Sequence, residues 1–263
     1  MLIGCNALLG SARRKPLQPS ASTMMQLIPK IVNNDDPVEM TRIYHFRYQC
    51  YSVDTDWRPR NDLGVDYDDY EENAIHMALY SPGDKITLKT GSRYPTCNIV
   101  AYQRLIPRLN SENGNEINTF MIEKEYENVI VKNRIGLINT KEVGEISRLC
   151  ICKSRKRDLI RIGKFNANLM MAQYKLTYQI CKHVGIKHLY FASTNYIIEN
   201  GRKRGFPIHR MMPTVKLKNG DEIEFVQMHW DEFDESAPKE MVDWFQAPFE
   251  GPPFLERDPE LVA

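Results

Sequence analysis

Apolar and polar positions change period several times along the chain, and each change marks an element. From Asn33 the run NNDDP offers a cap followed by a proline suited to a first helical turn. Val38, Ile43, Phe46, Arg47, Cys50 and Tyr51 then recur at helical spacing, which predicts a helix with aromatic and cationic members on one side. Residues 74–80 (AIHMALY) and 98–107 (NIVAYQRLIP) read as two strands, joined by a long hairpin connection that contains Pro82, Gly83, Gly91 and Pro95. A polar stretch, SENGNE, precedes a helix predicted around 119–132, and residues 144–152 alternate as a strand. From Asp158 to about Val184 apolar residues fall at three and four spacing, which predicts one long helix stopped by Gly185. A strand (KHLYFAS), a short helix (TNYIIENGRKR), two strands (FPIHRMM and IEFVQMHW) around the turn KLKNGDE, and an amphipathic segment (KEMVDWF) complete the order.

Helices interleaved with strands in this way imply an α/β sandwich around one mixed sheet, with no composition break that demands a second domain. The expected organisation is an N-terminal arm, 1–32, mobile because residues 10–23 are rich in small, basic and proline residues; a single domain, 33–246; and a Pro-rich tail, 247–263. The 263 residues are 42% hydrophobic and 26% charged, which excludes disordered and collagenous classes. A net charge of +1 means that any polyanion must be bound by a local patch. The six cysteines are scattered without zinc-site spacing, so reduced thiols in a cytoplasmic protein are expected, with no metal. LIGC near the start is similar to a lipoprotein cleavage site without its charged leader, and no run approaches the roughly 18 apolar residues of a membrane span.

Three segments carry candidate chemistry. GEISRLCICKSRKR, beginning at Gly144, places Glu145 and Arg148 in an otherwise apolar strand. Regular alternation would send them to opposite faces, so a shared site requires a bulge, which would also release a backbone N–H able to polarise a carbonyl. An edge strand with two solvated charges fits the alternation as well. GVDYDDYEENAIH presents Asp68 and Glu71 three apart among Tyr67 and Tyr70, either as a solvated loop or as paired carboxylates behind rings, with Arg47 and Trp57 supplied from upstream. Lys153, Arg155, Lys156, Arg157 and Arg161 lie where the strand is expected to turn into the N-terminus of the long helix. That is an anion site for a phosphopantetheine arm, a pyrophosphate or an acidic carrier, or else a solubilising turn. Stacking aromatics are not interleaved with these cations, so nucleic acid is not expected.

In order, FRYQCYSVDTDW, DDYEENAIH, YQRLIP and GEISRLCI resemble the motif series of the acyl-homoserine-lactone synthases and the related N-acyl amino acid synthases, including exosortase-associated acyltransferases. The resemblance implies a GNAT-like α/β/α sandwich around a mostly antiparallel sheet. It implies an N-acyltransferase that moves a fatty acyl group from an acyl carrier protein or acyl-CoA thioester to the amine of an amino acid or amino-acid-derived acceptor. Glu145 would take the proton through a water, and Arg148 and Arg104, the other catalytic candidates, would either hold the acceptor's carboxylate or fix the acidic residues. Arg47 and Trp57 would shape the pocket, with Asp68 and Glu71 at the family's two acidic positions, where Glu71 replaces the usual aspartate. Backbone N–H groups of Leu149, Cys150 and Ile151 would hold the oxyanion. No tightly bound cofactor is implied. The segment after Cys152 departs from the Q/R-x-x-G-x-G/A loop that cradles coenzyme A, which turns the expectation toward a carrier protein. The alternatives are S-adenosylmethionine as acceptor, giving a homoserine lactone, and a catalytically silent module that senses an acyl ligand.

Overall fold

The computed structural model describes residues 27–249 except 83–85, 88–92, 95–96, 109–118, 133–135, 139, 156–158, 163–164, 217–219 and 221. Its elements begin with β1 (Ile28–Val32), α1 (Pro37–Tyr48), β2 (Ile75–Pro82), the short pair β3 (Ile86–Thr87) and β4 (Arg93–Tyr94), and β5 (Cys97–Pro107). There follow α2 (Met121–Glu125), α3 (Glu127–Lys132), β6 (Val143–Ile151), the hairpin β7 (Leu159–Ile162) and β8 (Phe165–Asn168), and α4 (Leu169–Val184). The chain continues through β9 (His188–Thr194), α5 (Asn195–Lys203), β10 (Ile208–Arg210), β11 (Val215–Lys216), β12 (Glu222–His229), α6 (Trp230–Ser236) and α7 (Lys239–Gln246).

One eight-stranded sheet runs β1-β2-β5-β6-β9-β12-β10, with β11 also on β12. Every pairing is antiparallel except that of β6 with β9. Alternation along β2 and β5 sends Met77, Leu79, Ala101 and Leu105 into the cluster under α4, which also takes Leu176, Ile180, Phe233 and Phe245. Ala78, Tyr80 and Tyr102 turn the other way and pack with Ile43 and Cys50 of the α1 side. Helices thus cover both faces, the α/β/α sandwich that the sequence predicts. Among the described residues, no helix is long and apolar enough to cross a membrane.

Three expectations are corrected. Residues 28–32 form β1, in register with His76–Tyr80, and Leu27 is buried, so the ordered domain starts ahead of Asn33. The tail's first residues dock on α4, where Gln179 Nε2 donates to the Ala247 carbonyl at 2.8 Å and Lys175 Nζ to that of Pro248 at 3.3 Å. The long helix starts at Leu169, not near Asp158: Asn168 caps it by accepting from Met171 N at 3.0 Å, and residues 159–168 form the β7–β8 hairpin instead. Ile160 with Ile162, and Phe165 with Ala167, fit a period of two on two short strands, while Leu159, Ile162 and Phe165 fit helical spacing, and the cap decides between them.

Candidate active site

β6 begins as a partner of both its neighbours and ends as a partner of one. It pairs with β9 through three rungs, Val143↔His188, Gly144↔Leu189 and Glu145↔Tyr190, and the two parallel strands then diverge. A cavity of about 500 Å³ fills the gap, walled by Ile146–Ile151 on one side and by Leu189, Phe191 and Ala192–Thr194 on the other. Its lining runs from the buried Phe206, Met228 and Trp230 to the exposed Thr55, Trp57 and Tyr196. Backbone groups of β6 that turn toward β9 beyond Glu145 therefore meet the cavity rather than a strand.

The bulge that the sequence requires is present. Gln103 of β5 lies between the pairs Tyr102↔Cys150 and Arg104↔Ser147, so Arg148 and Leu149 together oppose one residue. Arg148 adopts the left-handed conformation with φ 56°, uncommon for a side-chain-bearing residue. The extra residue resets the alternation, so that Ser147 and Arg148 both reach the α1 face, where Ser147 Oγ accepts from Arg104 Nε at 3.1 Å.

On that face three arginines from three elements meet three carboxylates from the loop after α1. Arg47 Nε donates to Asp66 Oδ2 at 2.9 Å, and its Nη1 to both Glu71 oxygens at 2.8 and 2.9 Å. Arg104 grips Asp68 with two donors, at 2.6 and 3.1 Å, and reaches Glu71 Oε1 at 3.0 Å. Arg148 Nη2 donates to Asp68 Oδ2 at 2.7 Å, while its Nε lies 3.0 Å from Asp66 Oδ2. Arg47 and Arg104 are fully buried, so each guanidinium depends on these partners for its solvation.

Burial opposes the charge of Asp68, yet the Arg104 hydrogen bond and the charges of Arg104 and Arg148 outweigh it and hold the carboxyl well below the usual range. Burial raises the Glu71 carboxyl, against the pull of Arg47 and Arg104 and with a push from Asp68. Burial also pushes His76 down to about 4, leaving a neutral ring. Its Nε2 donates to the Glu71 carbonyl at 3.2 Å, which leaves Nδ1 to accept from the Tyr102 hydroxyl at 2.8 Å.

Glu145 is buried at 1% exposure, and its Oε2 accepts the Ile122 N–H at the start of α2, at 2.9 Å. It does not line the cavity, although Met121 beside it touches Arg104 and Arg148 through its sulfur. Arg148, Leu149, Cys150, Ile151 and Trp57 do line it, whereas Arg47, Arg104, Asp68 and Glu71 stand behind as the ionic network. Arg104 and Arg148 thus fix the acidic residues, one of the two roles expected of them. The cations after Cys152 do not sit at a helix N-terminus, because α4 begins at Leu169. Lys153 is exposed in a 3-10 turn; Lys156 and Arg157, and the side chains of Arg155 and Arg161, lie outside the described residues. Among the described residues, no group of three or more His, Cys, Asp or Glu could hold a metal, and Cys50, Cys150, Cys152 and Cys181 are free thiols.

Sequence reasoning passed over Asp66, Ser147, His76 and the Tyr51 hydroxyl, which donates to the Leu149 carbonyl at 3.0 Å. A charge count would have found Asp66, since three buried arginines call for three carboxylates.

No protein-family model matches the chain, and no curated protein does. Solved structures do. The CoA-dependent acyl-homoserine-lactone synthase BjaI, in complex with MTA, aligns over 89% of this chain and 93% of its own at 14% identity, TM-score 0.59. The acyl-homoserine-lactone synthase LasI aligns over 81% and 96% at 11% identity, TM-score 0.56. FeeM, an N-acyl amino acid synthase from uncultured soil microbes, aligns over 82% and 96% at 9% identity, TM-score 0.50. The chain therefore has the GNAT-like fold of the acyl-homoserine-lactone and N-acyl amino acid synthases.

Proposed function

We propose that the protein is an N-acyltransferase that moves a fatty acyl group from a thioester to an amine by direct attack. The observation that carries this reading is the divergence of β6 and β9 around an apolar cavity, with a left-handed bulge residue at its wall. The acyl chain would lie toward Tyr174, Phe206 and Trp230, and the thioester carbonyl beside Leu149–Ile151, whose backbone donors would hold the developing oxyanion. The amine attacks as the free base, its proton passing through a water to Glu145, and the thiolate departs as the amide forms. The donor is an acyl carrier protein, with acyl-CoA as the alternative. The helix end that would meet a pyrophosphate is capped by Asn168, and the basic run after Cys152 suits an acidic carrier. The acceptor is an amino acid or an amine derived from one.

Purified protein given acyl carrier protein or CoA thioesters and a mixed pool of amines should yield an N-acyl product by mass spectrometry. No amide from either donor with any acceptor overturns the proposal. Glu145→Gln keeps an acceptor for the Ile122 N–H, so it should fold and bind donor while turnover falls about 10²- to 10⁴-fold. A silent acyl-ligand sensor would be unchanged by it. A second reading, with S-adenosylmethionine as acceptor, is favoured by BjaI, whose structures hold MTA or S-adenosylmethionine. It is separated by release of MTA alongside the acylated product.

A further inference from the structure

Among the described residues three buried polar side chains line the cavity: Gln103, Arg148 and Thr177. Arg148 is committed to Asp66 and Asp68. Gln103 and Thr177 bond to each other, and incompletely. Thr177 Oγ1 lies 2.6 Å from Gln103 Oε1 and 3.0 Å from the Gln173 carbonyl, so its one hydrogen has two acceptors. A contact of 2.6 Å fits O–H···O and is short for N–H···O, so the atom that faces Thr177 is the carboxamide oxygen. The amide nitrogen is thereby turned away from Thr177, and Nε2 has no hydrogen-bond partner among the described residues.

Gln103 is 2% exposed, and a donor buried that deeply without an acceptor is costly to keep. Its place in the sheet is fixed by register. It pairs with Met77 on β2 and lies opposite the Arg148–Leu149 bulge on β6, with its side chain on the face that α4 covers. Gln173 Oε1 is sealed in the interior, whereas Gln103 Nε2 borders the cavity. Adjacent strands lie about 5 Å apart, so the carboxamide stands close to Leu149–Ile151, where the thioester carbonyl would rest. Phe206 and Trp230 flank β10 and β12, beyond β9. A plain acyl chain would press methylenes against this donor and drive out the water that could satisfy it.

We propose that Gln103 selects the acyl donor: the group transferred carries an oxo or hydroxyl oxygen near the thioester, and that oxygen accepts from Gln103 Nε2. This rests on the acyltransferase reading and names the class of its donor. An oxo oxygen meets the donor by itself. A hydroxyl also has a hydrogen to place, and the Thr177 oxygen retains a lone pair for it. Condensation of two thioesters leaves an oxo group on the third carbon, and reduction turns it into a hydroxyl. The donor is therefore a chain drawn off before elongation has removed that oxygen.

The test gives the full chain a mixed pool of amines and four donors of one length, as thioesters of acyl carrier protein and of CoA: dodecanoyl, 3-oxododecanoyl, 3-hydroxydodecanoyl and 12-hydroxydodecanoyl. The kcat/KM of a 3-substituted donor should exceed that of the plain and 12-hydroxy donors at least about tenfold. Gln103→Leu leaves the Thr177 hydroxyl its Gln173 acceptor and should bring that ratio to about one, with Gln103→Met as the second variant should the first not fold. A ratio near one in the parent, or one that survives the substitution, overturns the inference. An equal loss with all four donors also overturns it, and places the carboxamide on the thioester carbonyl instead. In each of these cases the amide formed leaves the acyltransferase reading standing. Calorimetry with the free acids supplies the converse: tighter binding of 3-hydroxydodecanoic than of dodecanoic acid, about tenfold and lost in Gln103→Leu, with no amide formed from any donor, would sustain the ligand class and remove the acyltransferase reading.

Discussion

On the α4 face of the sheet, Met77, Leu79, Leu105 and Ile146 pack with Leu176, Ile180, Phe233 and Phe245; on the α1 face of the same strands, Arg47, Arg104 and Arg148 meet Asp66, Asp68 and Glu71. The first arrangement gains stability from area and tolerates approximate fits, since apolar contacts have no direction. The second gains little net stability, because desolvating six ionic groups offsets most of their attraction, but it fails steeply when one member is lost. A network of that kind holds geometry: Arg148 is anchored where it leaves β6 at the cavity wall, and the loop after α1 is pinned to β5 and β6.

The largest expected effect follows from breaking the ionic side. Arg47→Ala leaves Asp66 and Glu71 without their main partner and should cost about 3–5 kcal/mol in urea unfolding. Replacing Arg47, Asp66 and Glu71 together by apolar residues of similar volume should recover most of that loss while the acyl-transfer rate stays low. If the triple replacement is as unstable as Arg47→Ala, the network is a stabilising element and the contrast fails. On the apolar side Leu176→Ala, at a fully buried position, should cost about 3 kcal/mol, with a milder loss of turnover.

Acid should separate the faces next. His76 has its folded value depressed to about 4, so its contribution is present above the unfolded value near 6.5 and is lost as pH falls toward 4. That loss is roughly 3 kcal/mol and should vanish from the stability profile of His76→Gln, whereas a profile unchanged by the substitution would show the ring is not buried neutral. Asp68, also depressed, adds a further loss at lower pH as it protonates in the folded state. The smallest effect is expected at Asn168→Ala, which removes the α4 cap at a cost of about 1 kcal/mol and leaves the pH profile unchanged.

The apolar face was largely legible in advance because period-two strands and helical spacing report burial directly. Where helical and strand spacing compete, as over Leu159–Ala167, spacing does not choose, and Asn168 caps α4 from inside the run that helical spacing alone assigns to the helix. β1 is a five-residue run, IPKIV, between the small, basic and proline-rich stretch 10–23 and the cap of α1, too short to stand out, and α6, which opens at Trp230 directly after β12, continues the apolar pattern of the strand IEFVQMHW. At the candidate site Glu145, Arg148 and the bulge were legible from charge placed in an apolar strand. The partners of those charges were not, because Asp66, Asp68 and Glu71 come from a loop whose acidic run reads equally as solvated. Nor does any local pattern reveal that Glu145 accepts the N–H of Ile122, 23 residues away.

The three-rung ladder between β6 and β9 makes the sheet two leaves stitched along a short seam. β1, β2, β5 and β6 form one leaf, β9, β12, β10 and β11 the other, and one apolar cluster takes residues from both, Leu105 and Ile146 on one side and Leu189 and Met228 on the other. Amides at that seam should exchange with deuterium ahead of those deep within either leaf. An occupant wedged between the leaves would slow the exchange, so its arrival can be read from the backbone alone.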